Sequence, residues 1–229
     1  MKKLTVMRKP IVRDLSAIPE HQRQGVITER PPLAYRMALR AVICCAVNTA
    51  RLLRQHQLHL PSAHVGMQLR FADGTSALVY RETVADRAAT ADACVLVVEF
   101  RLRAVRGSGH AVFRWESLLN TPLFAGFPGF ASKLWLANDE RGRYRGLYEW
   151  AGPQRAEAYA RALWRVLALV SVRGSIGYIV LPGWRRDELL GQPQVPAAGV
   201  TQDPAGAAAQ DLAGAAREPA AWWRPAGVW

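Results

Sequence analysis

Residues 127–150 read FPGFASKLWLANDERGRYRGLYEW. Two runs of alternating apolar and polar residues, 131–137 and 143–150, flank Asn138-Asp139-Glu140-Arg141-Gly142. Alternation at period two predicts half-buried strands, and a polar segment ending in glycine predicts the turn between them. Leu134 and Leu136 fall on one face of the first strand, Lys133 and Trp135 on the other. Tyr144, Gly146, Tyr148 and Trp150 share one face of the second. Gly152-Pro153 then opens a helix, because proline is tolerated where the first-turn N–H has no partner. Its apolar stripe is Ala156, Tyr159, Ala160, Leu163, Leu167 and Val170. Arg173-Gly174 ends that helix, and residues 175–181 form a short strand stopped by Pro182-Gly183.

Upstream, residues 93–103 alternate Cys94, Leu96, Val98, Phe100 and Leu102 with Val95, Val97, Glu99, Arg101 and Arg103. One face is apolar throughout, and the other becomes charged toward its end. Gly107-Ser108-Gly109 breaks this strand, and residues 110–119 fit a helix with Val112, Trp115 and Leu119 at helical spacing. Residues 120–129 read as a loop. The order is strand, helix, strand, strand, helix, strand. That is the split βαβ, or ferredoxin-like, pattern of an α+β fold over residues 93–190, an antiparallel sheet with helices on one face. The other sheet face needs a cover, because its apolar residues would otherwise stay wet. A second copy supplying that cover makes a homodimer the expected state.

Outside this unit, residues 1–31 show no sustained period and read as an extended or disordered lead-in. Residues 32–92 hold an N-terminal helix, 33–55, and a β-hairpin, 66–84, with Asp73-Gly74 at its turn. The helix has an arginine stripe, Arg36, Arg40, Arg51 and Arg54, beside Met37, Ala41, Cys44, Cys45 and Leu52. Residues 1–60 carry 11 basic and 3 acidic side chains, against 19 and 15 in the remainder, so the net charge of +12 is concentrated there. Such a stripe is either a solvated face or a contact for an anionic membrane surface or nucleic acid. No aromatic residues interleave the arginines as base-stacking platforms require. The longest apolar helical run, residues 41–50, is half the roughly 20 residues of a membrane span. His56, His59 and His64 read as loop residues. Cys44, Cys45 and Cys94 have neither disulfide nor zinc spacing, so no metal site is expected and a cytoplasmic setting fits. Residues 191–229 are rich in Ala, Pro and Gly and read as a disordered tail, oddly bearing Trp222, Trp223 and Trp229.

Phe130-Ala131-Ser132-Lys133-Leu134-Trp135, then Arg145-Gly146-Leu147-Tyr148, then Ala156-Glu157-Ala158-Tyr159, resembles the small mono-oxygenases of the YdhR type in the dimeric α/β-barrel superfamily. That pattern has E-P-G-F, K-x-W, G-x-Y and A-x-A-Y; here Phe127 replaces the glutamate. The resemblance covers about residues 93–183. It implies two facing sheets with a pocket for a hydrophobic aromatic small molecule, and oxidation of a quinol-like substrate by dioxygen. It implies no tightly bound cofactor, with haem or flavin left open.

Candidate pocket residues are Arg101, His110, Trp115, Lys133, Trp135 and Tyr148. A lysine beside an aromatic on a covered sheet suits an anionic or phenolic ligand; an ion pair with Glu99 or Glu149 is the plainer alternative. His110 reads as a general base, a haem ligand, or a solvated first-turn residue. No G-x-S-x-G, Walker A or G-x-G-x-x-G motif occurs. Two functions follow from the sequence: a cofactor-independent mono-oxygenase, or a non-catalytic ligand-binding or structural dimer.

Overall fold

A computed structural model describes residues 11–12, 31–87, 91–103, 117–191, 223 and 225–228. The strands are β1 (Ile11–Val12), β2 (Leu58–His59), β3 (Gln68–Phe71), β4 (Ser76–Ala85), β5 (Ala93–Arg101), β6 (Phe130–Leu136), β7 (Arg143–Ala151), β8 (Gly177–Pro182) and β9 (Pro225–Val228). Helices α1 (Tyr35–Arg54), α2 (Pro153–Val170) and α3 (Arg186–Gly191) join a 3-10 helix, Ser117–Leu123. The fold is mixed α+β. Its sheet is antiparallel and open, in the order β1-β9-β3-β4-β6-β7-β5-β8, with β2 on β4.

Each local signal has a visible cause. The β6–β7 turn is closed by Asp139, whose Oδ1 accepts from the backbone N–H of Arg141 and of Arg143, both at 2.9 Å. Gly142 supplies a φ of 72° there. In the β3–β4 turn Asp73 accepts from the Thr75 N–H at 3.0 Å and from its hydroxyl at 2.6 Å. The hairpin of residues 66–84 is a continuation of the main sheet, since β4 pairs with β6 from Val79↔Leu136 to Val84↔Ser132.

Both sheet faces are covered within one chain. On the first, Leu96, Val98, Trp135, Tyr148 and Trp150 pack against Ala156, Tyr159 and Leu163 of α2 and Cys45 of α1. On the second, Val95, Val97, Leu134, Leu147, Ile179 and Leu181 meet Leu69 and Phe71 of β3, Trp184, Leu189 of α3, and Trp223. The sheet curls over this second core, and α3 touches both β7 and β9. Helices therefore lie on both faces. Among the described residues, the sheet face on which the dimer expectation rested is covered by the chain itself.

Two further expectations need correction. The disordered tail fails at its end: Pro225–Val228 pairs with β3 and β1, and Trp223 is buried. A tryptophan with a core to enter overrides the composition around it. On α1 the buried residues are Ala38, Cys45 and Thr49, while Met37 and Cys44 are exposed, as are Arg36, Arg40, Arg51 and Arg54. Small side chains are required because the backbone of Gly126 lies against the helix. A Cβ at that position would sit 2.0 Å from the Cys45 carbonyl oxygen. Asn48 Nδ2 donates to the Gly126 carbonyl at 3.2 Å across the same contact. Among the described residues, no helix is long and apolar enough to cross a membrane.

Trp223→Ala is expected to cost about 3 kcal/mol, the usual range for truncating a buried aromatic. Urea unfolding reads this directly, and an unchanged midpoint would place Trp223 outside the core.

Candidate functional site

The first face of the sheet does not fill completely. A cavity of about 540 Å³ lies between β4, β6 and β7 on one side and α2 with the end of the 3-10 helix and Phe124 on the other. Tyr80, Phe124, Trp135, Tyr148, Tyr159 and Leu163 form much of its wall. Leu169 and Val170, both exposed, stand at its rim with Arg103. Arg103 is held there by donating to the Ser171 carbonyl at 3.1 Å.

Three local features build this space. The register of β6 on β7 shifts between Phe130↔Trp150 and Ser132↔Glu149, which leaves Ala131 as an extra residue. A bulge of this kind changes which parity faces the helices. Phe130 thus joins the same core as Trp135 although their separation is odd. Gly146 is opposite Trp135 in the register, and a Cβ there would come 2.7 Å from Tyr148 Cε2. The missing side chain lets the Tyr148 ring lie back along its own strand. Phe124 closes the space edge-on to Phe130, Trp135 and Tyr148, at centroid separations of 5.0, 5.2 and 6.3 Å.

Lys133 projects into this aromatic space with only 6% of its surface exposed. Its Nζ lies 3.1 Å from the Trp135 ring centre, 4.5 Å from that of Phe124 and 4.6 Å from that of Tyr148. Aromatic faces attract a cation, but far more weakly than a carboxylate does. Among the described residues, no ion pair or hydrogen bond partners the amine. Arg81 is a second cation nearby, its Cζ 3.8 Å from the same Trp135 ring centre. Burial holds the Lys133 pKa well below the usual lysine range, and the Arg81 charge pushes it the same way. The Trp135 indole N–H is fixed by donating to Thr83 Oγ1 at 3.1 Å. The Tyr159 hydroxyl donates to the Tyr148 hydroxyl at 3.2 Å, and burial pushes both phenols above their usual range. Cys45 is pushed up to about 11 by burial and stays a thiol.

Of the residues singled out from the sequence, Lys133, Trp135 and Tyr148 come together in the cavity. Arg101 does not; it is exposed at the end of β5, on the face that also carries Glu99. His110 and Trp115 lie outside the described residues. The plainer alternative for Lys133 fails, because both glutamates are engaged on the other face. Glu99 meets Arg143 at 2.8 Å, and Glu149 accepts from the Arg186 N–H at 3.0 Å. Sequence reasoning missed Phe124, whose only signal is the three-residue spacing Phe124, Phe127, Phe130 in a presumed loop. It also placed Tyr159 in the core without seeing its phenol reach Tyr148. His64, read as a loop residue, contacts the buried Glu82 at 2.8 Å.

No protein-family model matches the chain, and comparison with curated proteins finds no match. Similar solved structures include one described as that of a major regulator of staphylococcal pathogenesis. It is 12% identical with a TM-score of 0.35, over 70% of this chain and 99% of that one. A likeness at that level carries no argument about fold or function.

The buried amine makes stability depend on pH in a definite direction. With the folded pKa below the unfolded one, the unfolded chain binds more protons between the two values. The Lys133 contribution is therefore full above the unfolded lysine pKa and is lost as pH falls through the folded one. Lys133→Met removes this loss while keeping the bulk of the stem. The variant should be more stable at neutral pH by at least about 1 kcal/mol, the scale for an unpartnered buried polar group. The gap should widen as pH is lowered. Parallel stability curves for the two proteins would mean that the folded-state amine is hydrated.

Proposed function

We propose that the chain binds a phenolic or quinol-like aromatic molecule in this cavity, with Lys133 taking the phenol proton. One observation carries the reading: a buried lysine with no counter-charge among the described residues faces a space walled by aromatic rings. A neutral amine in such a site is a base. Transfer of the phenol proton to Nζ creates the ammonium and the phenolate together, so each charge acquires the partner it lacked. Trp135 supplies a flat wall for the ring, and Leu169 and Val170 offer an apolar rim for its entry.

Oxidation of the bound phenolate by dioxygen is the activity implied by the resemblance to mono-oxygenases of the YdhR type. Deprotonation raises the electron density of the ring, which is the step that oxidation by dioxygen needs. A phenol and dioxygen give a para-quinone and one water, all four electrons coming from the phenol. No external reductant enters that balance. The strand order β6-β7-β5-β8, all antiparallel, supports reading residues 93–190 as a ferredoxin-like unit. A binding protein without turnover uses the same cavity, and oxygen consumption separates the two.

Titration of the cavity tryptophan's fluorescence with 2-naphthol and with its methyl ether tests the reading. The naphthol should bind more tightly, and Lys133→Met should weaken it by about 1.5–3 kcal/mol, the range for a charge-assisted hydrogen bond. The ether should bind both proteins alike. Failure of either compound to bind would remove the cavity assignment. Binding of polycyclic phenols and hydroquinones without oxygen uptake would leave a ligand-binding protein.

A further inference from the structure

We propose that Lys133 is also a nucleophile toward carbonyl compounds: an apolar aldehyde or ketone entering the cavity forms an imine with Lys133 Nζ. This rests on the reading of the cavity as a small-molecule site and adds a covalent mode to it.

Lysine attacks a carbonyl only through its unprotonated lone pair. Proteins free that lone pair in two ways, by desolvating the amine in an apolar pocket and by placing a second cation beside it. Both are present at Lys133. Phe124, Trp135 and Tyr148 surround Nζ at 3.1–4.6 Å from their ring centres. The Arg81 guanidinium lies over the same indole. A phenol offers this lone pair a proton; a carbonyl has no such proton and offers an electrophilic carbon. The same amine thus meets the two ligand classes with two different reactions.

The step balances without an oxidant or a reductant. The Nζ lone pair adds to the carbonyl carbon, and the C=O π pair moves to oxygen, which takes up a proton while nitrogen loses one. The resulting carbinolamine gives up its remaining N–H proton to the hydroxyl, which leaves as water while the nitrogen lone pair forms C=N, so the products are one imine and one water. The Tyr148 ring centre lies 4.6 Å from Nζ. Its hydroxyl accepts from Tyr159 at 3.2 Å, which directs its own proton to another acceptor. The apolar wall favours the product, since imines revert where water is plentiful.

The sequence simplifies the test. The chain has four lysines, and the other three are Lys2, Lys3 and Lys9. The full-length protein is incubated at neutral pH with 2-naphthaldehyde and sodium cyanoborohydride, which reduces an imine to a stable amine. Peptide mapping then locates the naphthylmethyl group. Label on Lys133 is expected to exceed that on each other lysine about tenfold or more, because one pKa unit is a tenfold difference in free amine. Prior addition of 2-naphthol should block Lys133 alone, and Lys133→Met should lose that adduct. Mapping needs no variant, so a Lys133→Met protein that fails to fold leaves the test intact. If 2-naphthol binds and the aldehyde displaces it, yet Lys133 stays unlabelled, the imine inference is overturned and the cavity reading stands. If neither compound binds and Lys133 is unlabelled, both fall.

Discussion

Strand β5 is apolar on both faces: Val95, Leu96 and Val97 have no exposed surface, and Val98 is 4% exposed. Burying side chains of this size contributes roughly 1.5–3 kcal/mol each. That gain requires two separate covers for one sheet. The first cover is local, since α2 follows β7 directly and returns across β5, β7 and β8. The second cannot come from a neighbouring helix alone, since α3, just after β8, has six residues. It comes instead from curling the sheet, so that Leu69 and Phe71 of β3 share a core with Ile179 and Leu181 of β8. The hairpin at the start, Trp223 near the end and α3 all follow from that one requirement.

On the curled side, ion clusters lie beside the apolar core. In one, Arg145 has no exposed side-chain surface and reaches Asp139 at 2.9 Å, Asp73 at 3.0 Å and Glu99 at 3.6 Å. In the other, Glu82 meets Arg186 and His64, each at 2.8 Å. Buried ion pairs add little net stability compared with apolar replacements. Here they tie β4, β5 and β7 to loops and to α3. Among the described residues the helix side shows no such cluster and keeps an unfilled space instead.

The hairpin at residues 127–150, the helix after Pro153 and the two-faced β5 were legible because each is a local pattern. Turn chemistry at Asp139 and Gly142 needs only neighbours. Parity also correctly separated Lys133 and Trp135 from Leu134 and Leu136. The cover of the second face was not legible, since a period gives the apolar face of a strand but not its partner. A second copy and a distant hairpin satisfy the same pattern equally. Arg101 was misplaced for a related reason: its face is defined within β5, but the relation to Lys133 depends on inter-strand register and the bulge at Ala131. Trp223 was hidden by an Ala- and Pro-rich context, in which composition argued against order and a single large side chain decided otherwise.

The same sheet buries Arg81, Lys133 and Arg145 beside aromatic rings, and Lys133 and Arg145 differ in what surrounds them. Arg145 stacks over Phe71 with its Cζ 4.2 Å from the ring centre, and carboxylates surround it. Its charge is matched, and its role is complete within the fold. Lys133 also lies against aromatic rings, but among the described residues Arg81 is nearby in place of a carboxylate. A fold selected only for stability has no use for that amine, since an apolar residue of equal length fills the site at lower cost. Unmatched burial of an ionisable group beside an open cavity is the arrangement by which proteins prepare a base or a nucleophile. On the proposed reading, the group that completes Lys133 comes from the ligand, whether as a proton to accept or as a carbon to attack.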